Sequence, residues 1–196
     1  MTPLIRKARP DEAAAMGRIV AAAFFDLEVS RWLVPDDDRR REILPVHFGL
    51  FTEHVAKHGV MYTTNDHAGV AAWLPSAGVP DIPDFDERNG AACGERVEFF
   101  DLLGACFDKF HPHDEAHYYL QFLAVRPGMQ GRGLGSALMA PHHAMADEHG
   151  MPAYLEASNE RSRNLYLRHG YEDRGDPIHA TADAPPLFPM WRVAGR

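Results

Sequence analysis

A cluster of three glycines between an apolar run and a helix-like run is the feature that most restricts the fold of this sequence. Gly131, Gly133 and Gly135 alternate with Arg132 and Leu134 in the segment AVRPGMQGRGLGSALMAP. Glycine is costly in regular structure because the unfolded chain loses so much conformational freedom there. A strand, a glycine-rich loop and a helix in this order can bind phosphate, because backbone N–H groups point outward at the helix start. The segment therefore predicts a phosphate-binding turn.

Other interpretations of the glycine segment fit less well. A Walker loop needs the pattern GxxxxGK[ST], and the segment contains no Lys-Ser or Lys-Thr pair. A dinucleotide fold comes closer, since Gly131-x-Gly133-x-x-Ser136 nearly matches GxGxxG and Glu156 follows about where a ribose-binding acid belongs. However, five residues separate the strand from the glycines, and the 40 residues after Glu156 are too few for the remaining elements. A connector without a ligand stays open, although a plain connector does not need three glycines.

The composition is that of an ordinary globular chain with an acidic balance. Of 196 residues, 45% are apolar and 24% are charged, and the length suits one domain over residues 1–196. The net charge of −8 disfavours nucleic-acid binding, which depends on Lys and Arg, and favours a cationic partner. No apolar run approaches the roughly 18 residues of a membrane span, and no apolar signal core follows the basic N-terminus. We therefore expect a cytoplasmic protein without membrane contact, in which Cys93 and Cys106 are reduced and buried.

Turn signals and apolar patterns predict alternating strands and helices. The expected strands are Pro3–Arg9, two within Val60–Pro75 joined by a turn at Asn65–Gly69, His117–Val125, Pro152–Ser158, and two more in YEDRGDPIHA and LFPMWRVAG. The expected helices are one from Pro10, Asp36–Gly59, about Cys93–His111, one from the glycine segment to about His149 with a kink at Pro141, and Glu160–Gly170. Ser76–Gly90 is rich in Pro, Gly and Asp and is expected to be a loop. This order implies an α/β or α+β domain with a mixed sheet.

Two segments together resemble one family. Gln130-x-x-Gly133-x-Gly135 matches the Q/R-x-x-G-x-G/A signature of the GNAT superfamily of acyl-CoA-dependent N-acetyltransferases. Downstream, YLEASNERSRNLYLRHGYE is similar to the family segment in which an Asn precedes a Leu-Tyr pair and a Gly-aromatic pair. Within the superfamily, AAAFFDLEVSRWLVPD, GVAAWLP and QGRGLGSALMAP resemble the bacterial branch that includes puromycin N-acetyltransferase. The chain departs from that branch at Asp26-Leu27-Glu28, where consecutive acids and a proline are common.

The resemblance implies a fold and a co-substrate. The implied GNAT fold is an α/β (α+β) domain whose central mixed, mostly antiparallel, twisted sheet splays between two central strands and is flanked by helices. The implied co-substrate is acetyl-CoA, with its pyrophosphate on the backbone amides from Gln130 to Ser136. A backbone N–H within Leu123–Val125, near a bulge, would stabilise the oxyanion and align the pantetheine arm. Asn159 matches the position that bonds this arm, and Tyr166 matches the general acid for the leaving thiolate. The expected cofactor-binding residues are thus Leu123, Ala124, Val125, Gln130, Gly131, Arg132, Gly133, Leu134, Gly135, Ser136, Asn159 and Tyr166.

The general base stays open among groups on two strands. His117 and Gln121 lie in the expected central strand, and Glu156 ends the adjacent one. A histidine pKa suits proton transfer near neutral pH. Glu156 could act as the base or hold the acceptor, whereas Gln121 could hold a water. The expected catalytic residues are therefore Tyr166, Glu156 and His117.

Two histidine-rich segments are not expected to bind a metal. HPHDEAH, over residues 111–117, carries metal-ligand residue types but matches no zinc signature, and the chemistry of the family needs no metal. His142 and His143 are adjacent on a helix and cannot face one ligand together. We expect this pair at the surface or lining a groove.

The acceptor is expected to be a small cationic amine. Asp81, Asp84, Asp86 and Glu87 crowd one loop beside Phe85, a combination of carboxylates and an aromatic ring that suits a cation. Two alternatives stay open: the acceptor is an N-terminal or lysine amine of a protein, or the chain is a non-catalytic acyl-CoA sensor. The oligomeric state also stays open, with a homodimer as one alternative.

Overall fold

One seven-stranded sheet organises residues 4–195, which are those that the computed structural model describes. The strands are β1 (Ile5–Lys7), β2 (Val60–Thr64), β3 (Gly69–Pro75), β4 (Tyr118–Val125), β5 (Ala153–Ala157), β6 (Tyr171–Asp173) and β7 (Phe188–Arg192). The helices are α1 (Ala13–Phe24), α2 (Glu28–Leu33), α3 (Asp37–His58), α4 (Phe85–Cys93), α5 (Val97–Phe110), α6 (Leu134–Glu148) and α7 (Glu160–Leu167). Short 3₁₀ turns precede α1 and α5.

The sheet opens between its two central strands. The strand order is β1-β2-β3-β4-β5-β7-β6, and every neighbouring pair is antiparallel except β4 and β5. These two strands pair in parallel at only two positions, Tyr118 with Ala153 and Tyr119 with Tyr154. Beyond that point β4 keeps its pairing with β3, and β5 keeps its pairing with β7. The mixed, mostly antiparallel sheet that splays between two central strands is thus confirmed.

Helices cover both faces of the sheet because each face carries its own apolar core. On the first, which we call the near face, α1 and α3 bury residues such as Met16 and Ile43 against the sheet, and Phe100 of α5 joins the same core beside His47 of α3. On the opposite, far face, α6 packs Leu138 and Met139 against the sheet. Burying side chains of this size contributes roughly 1.5–3 kcal/mol each. The two cores hold the sheet rigid on both sides of its opening.

The expected elements match the observed ones in order, with errors near the N-terminal helices. The prediction of a loop over Ser76–Gly90 is wrong in its second half, because α4 begins at Phe85. The short helix α2 was not expected at all. The helix expected from about Cys93 begins at Val97, after a 3₁₀ turn. Pro3, placed in the first strand, lies outside the described residues.

The prediction for the adjacent histidines of α6 is also wrong. The helix continues through Pro141, and both following side chains turn into the protein, so that His142 is only 2% exposed. His142 stacks on the Trp73 ring with the centroids 4.2 Å apart, and His143 Nε2 bonds the Tyr171 hydroxyl at 3.0 Å. Burial lowers the pKa of His142 to about 3 and that of His143 to about 4. These neutral rings are part of the far-face core.

Candidate active site

A cleft of about 520 Å³ lies where β4 and β5 separate. Its walls come from the end of α1, the end of β4, the glycine turn, the start of α6 and the helix α7. Eleven of the twelve expected cofactor-binding residues line it, namely Leu123, Ala124, Val125, Gln130, Gly131, Gly133, Leu134, Gly135, Ser136, Asn159 and Tyr166. Arg132, the twelfth, is not part of the lining, and its guanidinium bonds the Gly128 carbonyl at 3.2 Å.

The glycine turn presents backbone amides to this cleft. Gly133 is the N-cap residue of α6 and has a φ of 77°, a left-handed conformation that a side chain disfavours. No described side chain caps the helix, so the amides of its first turn are available to an anion at the positive end of the helix dipole. Gly135 serves packing instead, because a Cβ there would lie 3.2 Å from Leu165 Cδ2 of α7. The turn therefore has the construction of a phosphate site.

Asn159 joins the second motif to the cleft. It begins α7 with a reciprocal cap, in which Ser162 N–H donates to Asn159 Oδ1 at 2.8 Å and Asn159 N–H donates to Ser162 Oγ at 3.3 Å. Caps of this kind contribute about 1 kcal/mol. The Asn159 amide nitrogen donates to Ser158 Oγ at 3.4 Å, and both residues line the cleft.

Tyr166 faces the cleft from the same helix. Its side chain is 7% exposed, and its ring meets that of Tyr171 edge-on at 5.7 Å. Burial raises the pKa of the Tyr166 hydroxyl, so the hydroxyl stays protonated at neutral pH. A protonated phenol in a cleft can donate a hydrogen bond or a proton.

Two arginines line the cleft and were not anticipated, one in α7 and one directly after it. Arg161 and Arg168 are exposed, and no ion pair joins either of them to another described residue. The remaining arginine of the helix, Arg163, pairs with Asp173 and Glu160 on another side. The spacing of basic residues in ERSRNLYLR could have suggested a cationic helix face, although it does not say which arginine pairs with an acid.

Glu156 lies on the near face beside the opening but is not part of the cleft lining. The Tyr119 hydroxyl donates to Glu156 Oε2 at 2.9 Å. The Tyr154 hydroxyl faces the same carboxylate without reaching hydrogen-bond geometry, and Glu156 Oε1 is buried with no partner in the described residues. Burial raises the pKa of Glu156 to about 7, and the two tyrosines oppose this shift only in part. This carboxyl group is poised to exchange a proton near neutral pH.

His117 lies at the start of β4, and both of its ring nitrogens are occupied. Nδ1 bonds the Glu115 carbonyl at 2.7 Å, and Nε2 bonds His111 Nε2 at 3.1 Å. A carbonyl only accepts, so His117 carries its proton on Nδ1 and His111 is the donor between the rings. Burial lowers the pKa of both histidines, that of His111 to about 4. His111, edge-on to Tyr119 and Tyr154, stands between His117 and the near-face tyrosines.

The acidic segment lies away from the cleft. Phe85 packs its ring on Phe51 of α3 at 5.4 Å, and Arg88 pairs with Glu53 at 2.9 Å. None of Asp81, Asp84, Asp86 or Glu87 lines the cleft, whereas Asp26 does. Among residues 4–195, no group of three or more His, Cys, Asp or Glu side chains is arranged to hold a metal ion. Within the same residues no helix is both long and apolar enough to cross a bilayer.

The splayed sheet and the glycine turn at the start of α6 agree with the family that sequence comparison identifies. The chain belongs to the acetyltransferase (GNAT) family, whose sequence model matches residues 51–171. A mycothiol acetyltransferase of Mycolicibacterium smegmatis is 28% identical over 152 residues, which is 74% of this chain and 46% of the relative. Four curated relatives are longer than this chain, which spans between 39% and 66% of their length.

Solved structures share the fold across the whole chain. A Corynebacterium glutamicum structure described as histone acetyltransferase HPA2 and related acetyltransferase superposes with a TM-score of 0.73 at 25% identity, covering 100% of this chain and 98% of that one. PaiA N-acetyltransferase from Thermoplasma acidophilum, crystallised with coenzyme A, gives a TM-score of 0.59 at 9% identity, covering 98% and 99%. The second likeness is one of fold alone.

Proposed function

We propose that this chain transfers an acetyl group from acetyl-CoA to a primary amine of a small molecule by direct attack. The observation that carries the proposal is the continuity of one cleft. It joins the uncapped amides of α6 to Tyr166, and Glu156 lies outside its lining on the near face of the sheet. Phosphate binding and protonation of a thiolate then have separate groups along one path, and the candidate base lies beside that path.

The donor end of the cleft suits the phosphates of coenzyme A. The amides of Leu134, Gly135 and Ser136 start a 15-residue helix, and helix starts favour anions. Arg161 and Arg168 add positive charge in a chain whose net charge is −8. Together these groups supply donors and charge for a pyrophosphate and a further phosphate, and they are the residues that would hold the co-substrate.

Three groups divide the chemistry of transfer. A backbone N–H near Leu123–Val125 would stabilise the oxyanion that forms on the thioester carbonyl. Tyr166 would donate a hydrogen bond and then its proton to the departing thiolate, since the hydroxyl is protonated at neutral pH. The amine reacts as its neutral fraction, since an alkylamine is mostly protonated at pH 7. Glu156 would accept the proton that the nitrogen loses as the carbon–nitrogen bond forms.

Glu156 is favoured over His117 as the base on geometry. Glu156 Oε1 has no partner among the described residues and lies beside the opening of the sheet. His117 uses both ring nitrogens in bonds to Glu115 and His111. We therefore assign His117 the task of orienting His111 behind the tyrosines.

A small-molecule acceptor is favoured by the acidic charge balance and by the carboxylates of Asp26 and Glu156 near the opening. The resemblance to the branch that includes puromycin N-acetyltransferase points the same way. The relatives include proteins named for mycothiol and for histone, so a protein amine is the second candidate. A sensor that binds acyl-CoA without turnover is the third.

Thiol release from acetyl-CoA, measured over a panel of amines, tests the proposal. The panel should contain polyamines, aminonucleosides, arylalkylamines and lysine-bearing or free-N-terminus peptides. Turnover with small amines is the expected result. Turnover with peptides alone would reverse the acceptor class, and coenzyme A binding without any turnover would leave the sensor as the function.

A further inference from the structure

Three buried side-chain atoms without a hydrogen-bond partner occur on the two strands that part. They are Gln121 Oε1 on β4, with Tyr154 Oη and Glu156 Oε1 on β5. The other such atoms in residues 4–195 belong to Trp73 and His142, which stack on each other in the far-face core. A buried acceptor without a donor costs about 1–3 kcal/mol. The Tyr154 hydroxyl faces the Glu156 carboxylate and can donate to one of these oxygens, so at least one of the two acceptors, one on each parting strand, lacks a donor.

A bulge in β4 turns Gln121 toward the same face as Glu156. The pairing of β3 with β4 shifts register between Ala72 and Trp73, opposite Gln121. Leu120 and Leu123, three positions apart, both pack in the far-face core, while Phe122 packs in the near-face core. Two consecutive residues, Gln121 and Phe122, thus fall on the near face between them. Bulges commonly re-aim a side chain in this way beside active sites.

The strand register sets Gln121 and Glu156 across the opening from each other. Tyr119 pairs with Tyr154 in the last β4–β5 pair, and Gln121 and Glu156 each follow two residues later. Tyr119, Tyr154 and Glu156 share the near face, because the two rings stack at 6.0 Å and Tyr119 bonds Glu156. Tyr119 donates to Glu156 Oε2, and Glu156 Oε1 has no hydrogen-bond partner among the described residues.

We propose that Gln121 and Glu156 form a two-point site for the acceptor nitrogen and that this site selects primary over secondary amines. The inference rests on the proposed acetyl transfer. A neutral primary amine has two N–H groups and one lone pair. One N–H donates to Gln121 Oε1, the other faces Glu156 Oε1, and the lone pair is directed at the thioester carbonyl. A neutral secondary amine has one N–H and leaves Gln121 Oε1 unpaired.

The bonds and protons of the step balance. The amine nitrogen forms a bond to the acetyl carbonyl carbon, and the carbon–sulfur bond of acetyl-CoA breaks. The proton from the nitrogen passes to Glu156 Oε1, and the departing thiolate takes the Tyr166 proton. Gln121 stays unchanged and keeps its hydrogen bond to the N–H that remains in the amide product. Gln121 is therefore a specificity-determining residue.

The test is the ratio of kcat/KM for phenethylamine to that for N-methylphenethylamine, with hexylamine and N-methylhexylamine as a second pair. An unpaired acceptor predicts a wild-type ratio of about 5 to 150 in favour of the primary amine. Gln121→Met keeps the side-chain length and removes the oxygen that accepts the hydrogen bond. The ratio should therefore fall at least fivefold, mainly because kcat/KM for the primary amine falls. Gln121→Ser withdraws the oxygen from reach and should give the same fall.

Leu120→Met is the matched control, since it alters the neighbouring position of β4 on the far face, and it should keep the wild-type ratio. Each variant must bind coenzyme A with wild-type affinity by calorimetry, which reports an intact fold and donor side. An unchanged ratio in both Gln121 variants, or a wild-type ratio near one, would overturn the inference and leave the transferase proposal standing. No thiol release by the wild-type chain with any amine would overturn both.

Discussion

The two ends of the cleft are built from different kinds of group. The donor end uses backbone amides at a helix start, which carry a fixed partial charge and do not titrate. The proposed acceptor end adjoins buried side chains outside the cleft lining, Glu156 with Tyr119 and Tyr154, and the protonation of Glu156 depends on its surroundings. The local sequence therefore determines the proposed donor end through backbone conformation. The proposed acceptor end depends instead on tertiary contacts between side chains that are distant in the sequence.

Removing the hydroxyl of Tyr166 should give the largest loss. Loss of a general acid typically costs about 10²–10⁴-fold, so Tyr166→Phe should lower kcat by that factor while coenzyme A still binds. Tyr171→Phe is the matched control, because its ring touches Tyr166 but its hydroxyl bonds His143 in the far-face core. That variant should lose stability and keep its kcat. Steady-state thiol release measures both, and equal kcat values for Tyr166→Phe and wild type would remove Tyr166 from the chemistry.

Placing a charge in the glycine turn should abolish donor binding. Gly133→Glu forces a side chain onto a φ of 77° and sets a carboxylate beside the amides of α6. We expect the affinity for coenzyme A to fall by at least about 100-fold. The amides at the helix start attract phosphate, whereas a carboxylate beside them repels it. Gly175→Glu carries the same charge on a φ of 89° outside the cleft lining, and should bind normally. Calorimetry measures the affinity of each variant for coenzyme A. An equal loss of affinity in both variants would assign the effect to backbone strain.

Neutralising the acceptor end should stabilise the protein at high pH. The folded-state pKa of Glu156, about 7, exceeds its ordinary value of 4.5. The folded protein therefore holds a proton that the unfolded chain releases, and stability falls as the pH rises from about 4.5 to 7. Glu156→Gln should raise the free energy of unfolding by about 2 to 3 kcal/mol at pH 8 and by under about 1 kcal/mol at pH 5. Urea unfolding at both pH values measures the difference, and an equal change at the two would mean that Glu156 is not buried as a charge.

The pH dependence of turnover should show the smallest effect. Only the ionised form of Glu156 accepts a proton, so kcat/KM calculated on the concentration of neutral amine should rise about tenfold from pH 6 to pH 8, with a midpoint near 7. The groups that face this carboxyl are Tyr119, Tyr154 and Cys106, all of which keep their protons in this range because burial raises their pKa. Glu156→Gln should lose the inflection. A profile that keeps its midpoint in Glu156→Gln would assign the titration to another group, His117 first among them.

The sequence predicted the local structure of the glycine turn and of the start of α7, because the determinants of both are local. A glycine with positive φ, a helix start and a capping asparagine are all set within a few residues of chain, and Gly133 and Asn159 are found where their motifs predict them. The strand segments were also predicted, since apolar residues in β3 and β4 form short dense runs.

The elements that the sequence did not predict depend on distant contacts. The helix α4 has few apolar residues, and a buried polar pair holds it, with His47 Nδ1 of α3 bonding Asn89 Oδ1 at 2.8 Å. The pair joins residues 42 positions apart, and no sequence feature near Asn89 predicts the contact. In the same way the burial of His142 depends on stacking with Trp73 from another strand. Local pattern cannot supply contacts of this range.

The short β4–β5 pairing has a consequence for the exchange of backbone hydrogens. A central strand normally has both edges bonded, yet beyond Tyr119 and Tyr154 each of these strands has one edge without a sheet partner. The amides along those inner edges lack the protection of a ladder and should exchange with deuterium at rates typical of the sheet rim, although they lie at its centre. An extended molecule carrying amide groups would fill the gap, and slowed exchange along it would trace that molecule residue by residue.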